Sequence, residues 1–504
     1  MKNIVKAYPG VIANNNVNFI LNKGEIHGLV GENGAGKSTL MNLLYGMQSP
    51  DSGKIEVNGN LVKLYSSRDA IKKGIGMVHQ HFMLVPSLTV LQNIIIGNAP
   101  QKGIFIDILT AKKKIMNILE EYSFTLDLDA KIYQLSIGQR QRVEIIKALY
   151  RGADILILDE PTAVLTPQEV LDLIDILQKL KKQGRSIIII THKLKEVLQS
   201  TDRITVMRKG KVTGVVNTKD TDEKELANLM VGRDVNLQIE KTKLDLTSKV
   251  FEVNNLHVID QRGREAVKNV SFSIMNGEIL GICGVEGNGQ TEIVNAITGL
   301  MPQSSGEIKI NGNNIEKMSV RDRRECGMSH IPEDRLKVGC AANCTVKENL
   351  ILNKYYMKPF LKYGVIDKTR TDEFSIKMIN RFNIKVPTVE YELSTLSGGN
   401  MQKVILAREL ELEPEILVAA QPTRGVDIGA IESIRKELVI LRDKGKAILL
   451  VSSELEEIMS LSDRIAVVYE GEIVGYFRPE ETTEEELGLY MAGAGPGRSE
   501  RNMI

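Results

Sequence analysis

One run in the chain announces its chemistry by residue type and spacing: Gly31-Glu32-Asn33-Gly34-Ala35-Gly36-Lys37-Ser38-Thr39. It follows the apolar stretch Ile26–Val30 and precedes a helical pattern, the setting in which such a loop cradles phosphate. Its glycines let backbone N–H groups crowd around phosphate oxygens. Lys37 suits the β and γ phosphates, Ser38 can ligate Mg2+, and the helix that follows offers its positive end. A plain Gly-rich turn is the competing reading, and the strand–loop–helix context counts against it. A second run, Ile155-Leu156-Ile157-Leu158-Asp159-Glu160, is an apolar strand ending in two acids. Such a strand is buried on both faces, so its acids should emerge at the carboxyl edge, beside the phosphate loop. Asp159 would there hold Mg2+, and Glu160 would serve as general base to an attacking water. Alone, the same run could be a strand followed by a solvated acidic turn. Ser136, in Leu135-Ser136-Ile137-Gly138-Gln139, could be no more than a helix cap. His192, after Ile187–Ile190, could be a satisfied histidine at a strand end.

An internal repeat sets the elements that must position these residues. Lys23-Gly24-Glu25-Ile26 recurs as Asn276-Gly277-Glu278-Ile279, an offset of 253 that also relates Gly31 to Gly284 and Gln80 to Glu333. Farther along the offset is 261, relating Ser136 to Ser397, Glu160-Pro161-Thr162 to Gln421-Pro422-Thr423, and Asp202 to Asp463. One eight-residue insertion between Glu333 and Ser397 reconciles the two. The chain is therefore read as two copies of one α/β domain, strands alternating with helices around a mixed sheet, each with a helical subdomain. The boundaries expected are 1–235 for the first copy, 236–249 for a linker, 250–490 for the second copy and 491–504 for a flexible tail.

Composition narrows the partners. Lys and Arg number 65 against 64 Asp and Glu, a net charge of +1, without the basic excess of a protein that lives on nucleic-acid phosphates. Four cysteines in 504 residues are too sparse for a disulfide scaffold, which points to a reducing compartment. No run approaches the roughly 18 apolar residues needed to span a bilayer, so a membrane role is expected to come through partners. His79 and His81 lack a nearby third ligand for a metal, and Cys340 with Cys344 reads as two buried thiols rather than zinc ligands.

The ordered set Lys37, Gln80, Ser136, Asp159, Glu160 and His192 resembles the ATP-binding subunits of ABC transporters over nearly the whole chain. The resemblance implies ATP and Mg2+ as cofactors. It implies that Tyr8 stacks on adenine and that Gln80 joins Mg2+ and water to the helical region. It also implies that His192 contacts the γ-phosphate, and that Ser136 and Ser397 head signature loops reaching the other half's nucleotide in a head-to-tail pair. Only seven residues precede Tyr8, which predicts a shortened β edge beside the adenine or a late start.

In the second copy the chemistry is stripped. Lys37 becomes Gln290, Gln80 becomes Glu333, Asp159 becomes Ala420, Glu160 becomes Gln421 and His192 becomes Ser453. No aromatic residue lies between His257 and Phe272 to replace Tyr8. The signature Leu396-Ser397-Gly398-Gly399-Asn400 keeps both small residues, whereas the first copy has Ile137 where Gly398 stands. In a head-to-tail pair within the chain, both defects fall on one site. One active composite site, completed by Ser397, Gly398 and Gly399, and one silent site are expected.

Two fused copies with Ile331-Pro332-Glu333-Asp334-Arg335 are similar to the ATPases of simple-sugar and nucleoside importers. His79-Gln80-His81-Phe82-Met83-Leu84-Val85 and Ala419–Asp427 look most like the nucleoside branch. This implies an ATPase on the cytoplasmic face of the membrane, peripheral, bound to integral-membrane permeases and indirectly serving an extracytoplasmic solute-binding protein. The segment Phe82–Ile96 would supply the docking surface, with a plain subdomain core as the alternative. A soluble twin-cassette ATPase acting on ribosomes or nucleic acid is the competing function. Against it stand the ruined second site, the short linker and the balanced charge. A DNA-repair ATPase would need zinc modules or long coiled coils.

Overall fold

A computed structural model describes residues 1–495 apart from 80, 81, 123, 163, 164, 166, 237, 238, 243 and 245 and the side chain of Pro167. The chain divides into two compact units, Met1–Val235 and Asn236–Ile504.

In the first unit the apolar run Ile187–Ile190 explains the layering. Strand Ser186–Thr191 pairs in parallel with Ile26–Gly31 on one side and with Ile155–Asp159 on the other. Its side chains alternate: Ile187 and Ile189 join the core beneath the helical region, while Ile188 and Ile190 join the core beneath the antiparallel sheet. A strand apolar on both faces must sit mid-sheet, and this one does. Strands Ile75–Val78 and Arg203–Arg208 extend the parallel set, and Lys211–Asn217 closes the edge antiparallel. A second sheet, antiparallel, runs in the order Val11–Val17, Lys2–Tyr8, Ser52–Val57, Asn60–Val62. Within it Lys2–Tyr8 is a seven-residue strand paired on both sides.

The helical region begins with Val90–Ile95, opened by a reciprocal Thr89–Gln92 capping box, and includes Ile108–Glu121 and Ile137–Tyr150. Val90, Leu91, Ile94 and Ile95 are core. The docking surface expected over Phe82–Ile96 therefore shrinks to the exposed Met83, Val85 and Ile96, with the helix between them committed to packing.

The second unit repeats the plan. Its six-stranded sheet runs Met328–Ile331, Ile416–Ala420, Ala447–Val451, Ile279–Cys283, Arg464–Tyr469, Glu472–Phe477. Lys241 and Thr242, in the stretch 236–249 expected to be a linker, are bonded to this unit. Lys241 donates to the carbonyls of Leu461 and Ser462, and Arg442 reaches the Thr242 carbonyl. Cys340 and Cys344 are half-buried, not the buried thiols expected, whereas Cys283 is fully buried. The last helix, Glu484–Met491, packs Leu487, Tyr490 and Met491 into the core, so Met491, the first residue of the expected tail, is part of the fold.

Candidate functional site

The first unit's site is assembled at the carboxyl ends of neighbouring parallel strands, because that is where a loop can leave the sheet for a helix. Strand Ile26–Gly31 runs into the loop carrying Glu32, Asn33, Gly34 and Ala35, and helix Lys37–Leu44 starts directly after Gly36. Gly36 has φ 99°, and a Cβ there would lie 2.1 Å from the Ala13 carbonyl oxygen. Only glycine permits that approach. Asn14, fully buried on the adjoining strand, donates to the Gly36 carbonyl at 3.1 Å and pins the loop. Lys37 is 6% exposed, and its ammonium donates to the carbonyls of Gly31 (2.6 Å) and Glu32 (3.0 Å). Burial pulls its pKa down, and the charges of Glu160, Asp159 and Glu32 oppose that pull. Ser38 is exposed on the first helical turn and Thr39 half-buried.

Strand Ile155–Asp159 delivers the acids. Burial and the neighbouring Glu160 charge push the Asp159 carboxyl up to about 6, with Lys37 acting against them. Glu160 has φ 46°, a left-handed conformation unusual for a side chain of its size, and its N–H donates to the Ile190 carbonyl at 2.8 Å. His192 Nδ1 lies 2.9 Å from Glu160 Oε1. That hydrogen bond holds the Glu160 carboxyl below the usual range despite its burial. Lys37, Asp159, Glu160 and His192 thus form one electrostatic cluster. Gln80, expected beside them, lies outside the described residues.

Tyr8 ends its strand 39% exposed, its hydroxyl bonded to Gln48 and its ring 5.9 Å from the Lys6 ammonium. Ser397 directly precedes helix Gly398–Leu410 in the second unit, exposed, and accepts from Asn400 Nδ2 at 2.9 Å. Gly399 is buried, and a Cβ there would lie 3.0 Å from an Asp427 carboxylate oxygen. In the first unit Ser136 is occupied by its own helix, accepting from the Gln139 N–H at 3.3 Å.

The second unit preserves the scaffold of the site without its reactive groups. Gly289 approaches the Ala266 carbonyl as Gly36 approaches Ala13, but the position of Asn14 is taken by buried Val267. Gln290 Nε2 donates to the Val285 carbonyl at 3.2 Å, a neutral stand-in for Lys37. Gln421 keeps the left-handed φ at 49° and accepts from the Ser453 hydroxyl and N–H, both at 3.3 Å. Around them is a cavity of about 720 Å³ lined by Gly287, Gln290, Thr291, Glu333 and Arg424. Sequence reasoning passed over Asn14. Its only signal is a polar Asn14-Asn15-Asn16 run inside an otherwise ordinary strand.

Known proteins are similar to this chain over nearly its whole length. Residues 14–163 and 267–424 match the ABC transporter family. The chain is 48% identical over 493 residues to the nucleoside import ATP-binding protein NupA of Lactococcus lactis subsp. cremoris (strain MG1363), covering 98% of this chain and 97% of that protein. It is 49% identical over 494 residues to the guanosine import ATP-binding protein NupO of Bacillus subtilis (strain 168), with the same coverage. The glucose import ATP-binding protein TsgD13 of Haloferax volcanii is 43% identical, covering 98% of this chain and 96% of that protein. Among solved structures, an RNase-L inhibitor superposes with a TM-score of 0.65 at 20% identity, covering 98% of this chain and 93% of its own, a likeness of fold alone. With a phosphate loop, a paired acid strand and a second copy of the same scaffold in one polypeptide, the chain belongs to the ABC transporter family as a two-cassette ATPase subunit.

Proposed function

We propose that this chain hydrolyses ATP at its first cassette to drive import of a nucleoside, with simple sugars as the next substrate class. The single observation that carries the chemistry is the Lys37–Asp159–Glu160–His192 cluster against the Gly36 cradle. Glu160 is held ionised, the state a general base requires, and would take a proton from water as that water attacks the γ-phosphorus and ADP leaves. His192 orients Glu160 and faces the same phosphate. Lys37, desolvated among loop carbonyls, is ready to exchange them for phosphate oxygens.

The residues also suit Mg2+. Ser38 and Asp159 would supply the hard oxygen donors the ion prefers, with Gln80 as the further ligand the resemblance implies, and burial and the Glu160 charge at half-buried Asp159 outweigh the opposing charge of Lys37. When bound, the ion neutralises charge on the phosphate oxygens. Tyr8 would pack against adenine. Ser397, Gly398 and Gly399 would complete this site from the second cassette, head to tail within the chain, leaving the second site without turnover.

Transport requires a membrane, and no helix among the described residues is long and apolar enough to cross one. Integral-membrane permeases would supply the path, with the chain peripheral on their cytoplasmic face and a solute-binding protein delivering cargo from outside. Import follows from relatives at 48–49% identity whose names state nucleoside and guanosine import. The ribosome-acting alternative has only a likeness of fold, at 20% identity, to an archaeal ribosome recycling factor. The test is turnover of the chain reconstituted with its genomically adjacent permease in vesicles, with each candidate solute. Stimulation by a nucleoside above that by ribose, glucose or xylose is the expected result. ATPase activity indifferent to the permease would overturn the transport reading.

A further inference from the structure

Three charged residues distinguish the second cassette from the first at equivalent places. Glu333 stands where the first has Gln80, Arg335 where it has Phe82, and Arg424 where it has Ala163. The fold brings all three together. Thr291, on the first turn after the phosphate loop, donates to Glu333 Oε2 at 3.3 Å. The other Glu333 oxygen pairs with Arg424 at 2.5 Å, and Arg424 also lies 3.9 Å from Glu286 in the phosphate loop. Arg335 then carries the connection onward. One arm of its guanidinium donates to the Gly398 carbonyl at 3.2 Å and the other to the Gly425 carbonyl at 3.3 Å.

This fork is built, not incidental. Asp334 accepts from the N–H groups of Leu336 (3.1 Å) and Lys337 (3.0 Å), which caps the short turn Arg335–Gly339 and fixes where the arginine starts. Both acceptors are glycines. A Cβ at Gly398 would lie 3.3 Å from Arg335 Nη1, and one at Gly425 would lie 3.0 Å from Nη2. Side chains there would crowd the guanidinium. The first cassette has lost both partners together, with Phe82 for the arginine and Ile137 for the signature glycine. A planar fork spanning two carbonyls restrains their separation and orientation, which a single ammonium cannot do.

We propose that Arg335 is a positioning residue for ATP hydrolysis: its fork fixes the signature loop Ser397–Gly399 and ties it to the second cassette's silent phosphate loop. The inference rests on the reading that this signature loop completes the first cassette's site. It gives the charged residues of a hydrolytically silent cassette a task, holding a loop whose placement sets the rate elsewhere.

The test is a double-mutant cycle on the full chain reconstituted with its permease, reading kcat and KM for ATP and the melting temperature. Arg335→Ala should lower kcat by about ten-fold or more while KM stays within about two-fold. Arg335→Lys should recover only part of the rate. In the Ser397→Ala background, Arg335→Ala should cost nothing further, because both act through one loop. If Arg335→Ala does not fold, Arg335→Gln, which keeps the packed stem, takes its place in the cycle. Wild-type kcat in the Arg335 variant, or losses that multiply in the double variant, would overturn the proposal. Ser397→Ala turning over at the wild-type rate would instead sink the composite-site reading beneath it, so the two failures are told apart.

Discussion

Glu160 is where geometry and electrostatics agree most closely on one role. Its left-handed backbone, its hydrogen bond to His192 and its depressed pKa all serve to hold an ionised carboxylate at the strand end. Gln421 repeats the backbone strain with a side chain that cannot accept a proton as a base. Glu160→Gln should therefore cut turnover by about 10²–10⁴-fold while equilibrium binding of a fluorescent ATP analogue is preserved. Retention of most of the rate would mean that another group is the base. Asn14 has a subtler task. Its amide N–H₂ braces Gly36, while its buried Oδ1 has no hydrogen-bond partner among the described residues. Asn14→Val, the residue at the equivalent place in the second cassette, removes the brace and an orphaned oxygen together. Its stability should change by less than about 1 kcal/mol because those effects oppose each other. Its ATP affinity should fall several-fold, and a melting curve beside a nucleotide titration reads both.

The elements after the acid strands differ between cassettes in a way that pH can expose. In the first, Thr162 bonds Glu196, whose charge is met by Lys193 at 3.3 Å. In the second, Thr423 donates to Glu457 at 2.8 Å, but Glu454 has replaced the lysine. Burial, reinforced by the Glu454 charge and opposed by Arg435, pushes Glu457 from the ordinary 4.5 up to about 7. Arg435 is itself shared with Glu456. The folded chain thus keeps a proton that the unfolded chain releases above its own pKa. This contribution to stability is full below pH 4.5 and is lost as pH rises through about 7. Glu457→Gln cannot ionise, so it should stabilise the second unit at pH 8 by on the order of 3 kcal/mol relative to wild type. The advantage should vanish near pH 4.5, and calorimetry at the two pH values checks it. Such differences show what a sequence displays and what it hides. Gly31–Thr39 and Ile155–Glu160 are contiguous, and their spacing alone identifies phosphate and acid chemistry. The two offsets similarly reveal the duplication. Arg335 against Gly398 and Gly425, or Asn14 against Gly36, are contacts across 63, 90 and 22 residues. Local spacing carries no trace of them. The pairing of Lys2–Tyr8 with Val11–Val17 and Ser52–Val57 is equally invisible to a count of the residues before Tyr8.

At the scale of the whole molecule, the two cassettes are unequal in complementary ways. The first holds the intact cluster, and the second holds the signature with both glycines, Gly398 and Gly399. Independent decay would scatter losses over both sites. Here every loss can be assigned to one site if the second cassette's signature serves the first cassette's nucleotide. The two signature serines provide the decisive comparison, because they are chemically identical and each would serve a different site. On the proposed head-to-tail reading Ser397→Ala removes a hydroxyl from the site that turns over, so kcat should fall by about ten-fold or more. Ser136→Ala removes one from the silent site, and its main cost should be the helix cap it forms with Gln139, about 1 kcal/mol of stability. The two variants, assayed in the reconstituted transporter, should therefore separate: Ser397→Ala slow at a near-normal melting temperature, Ser136→Ala slightly less stable at a near-normal rate. Equal losses of rate would require two working sites, which Gln290, Ala420 and Gln421 are not equipped to provide.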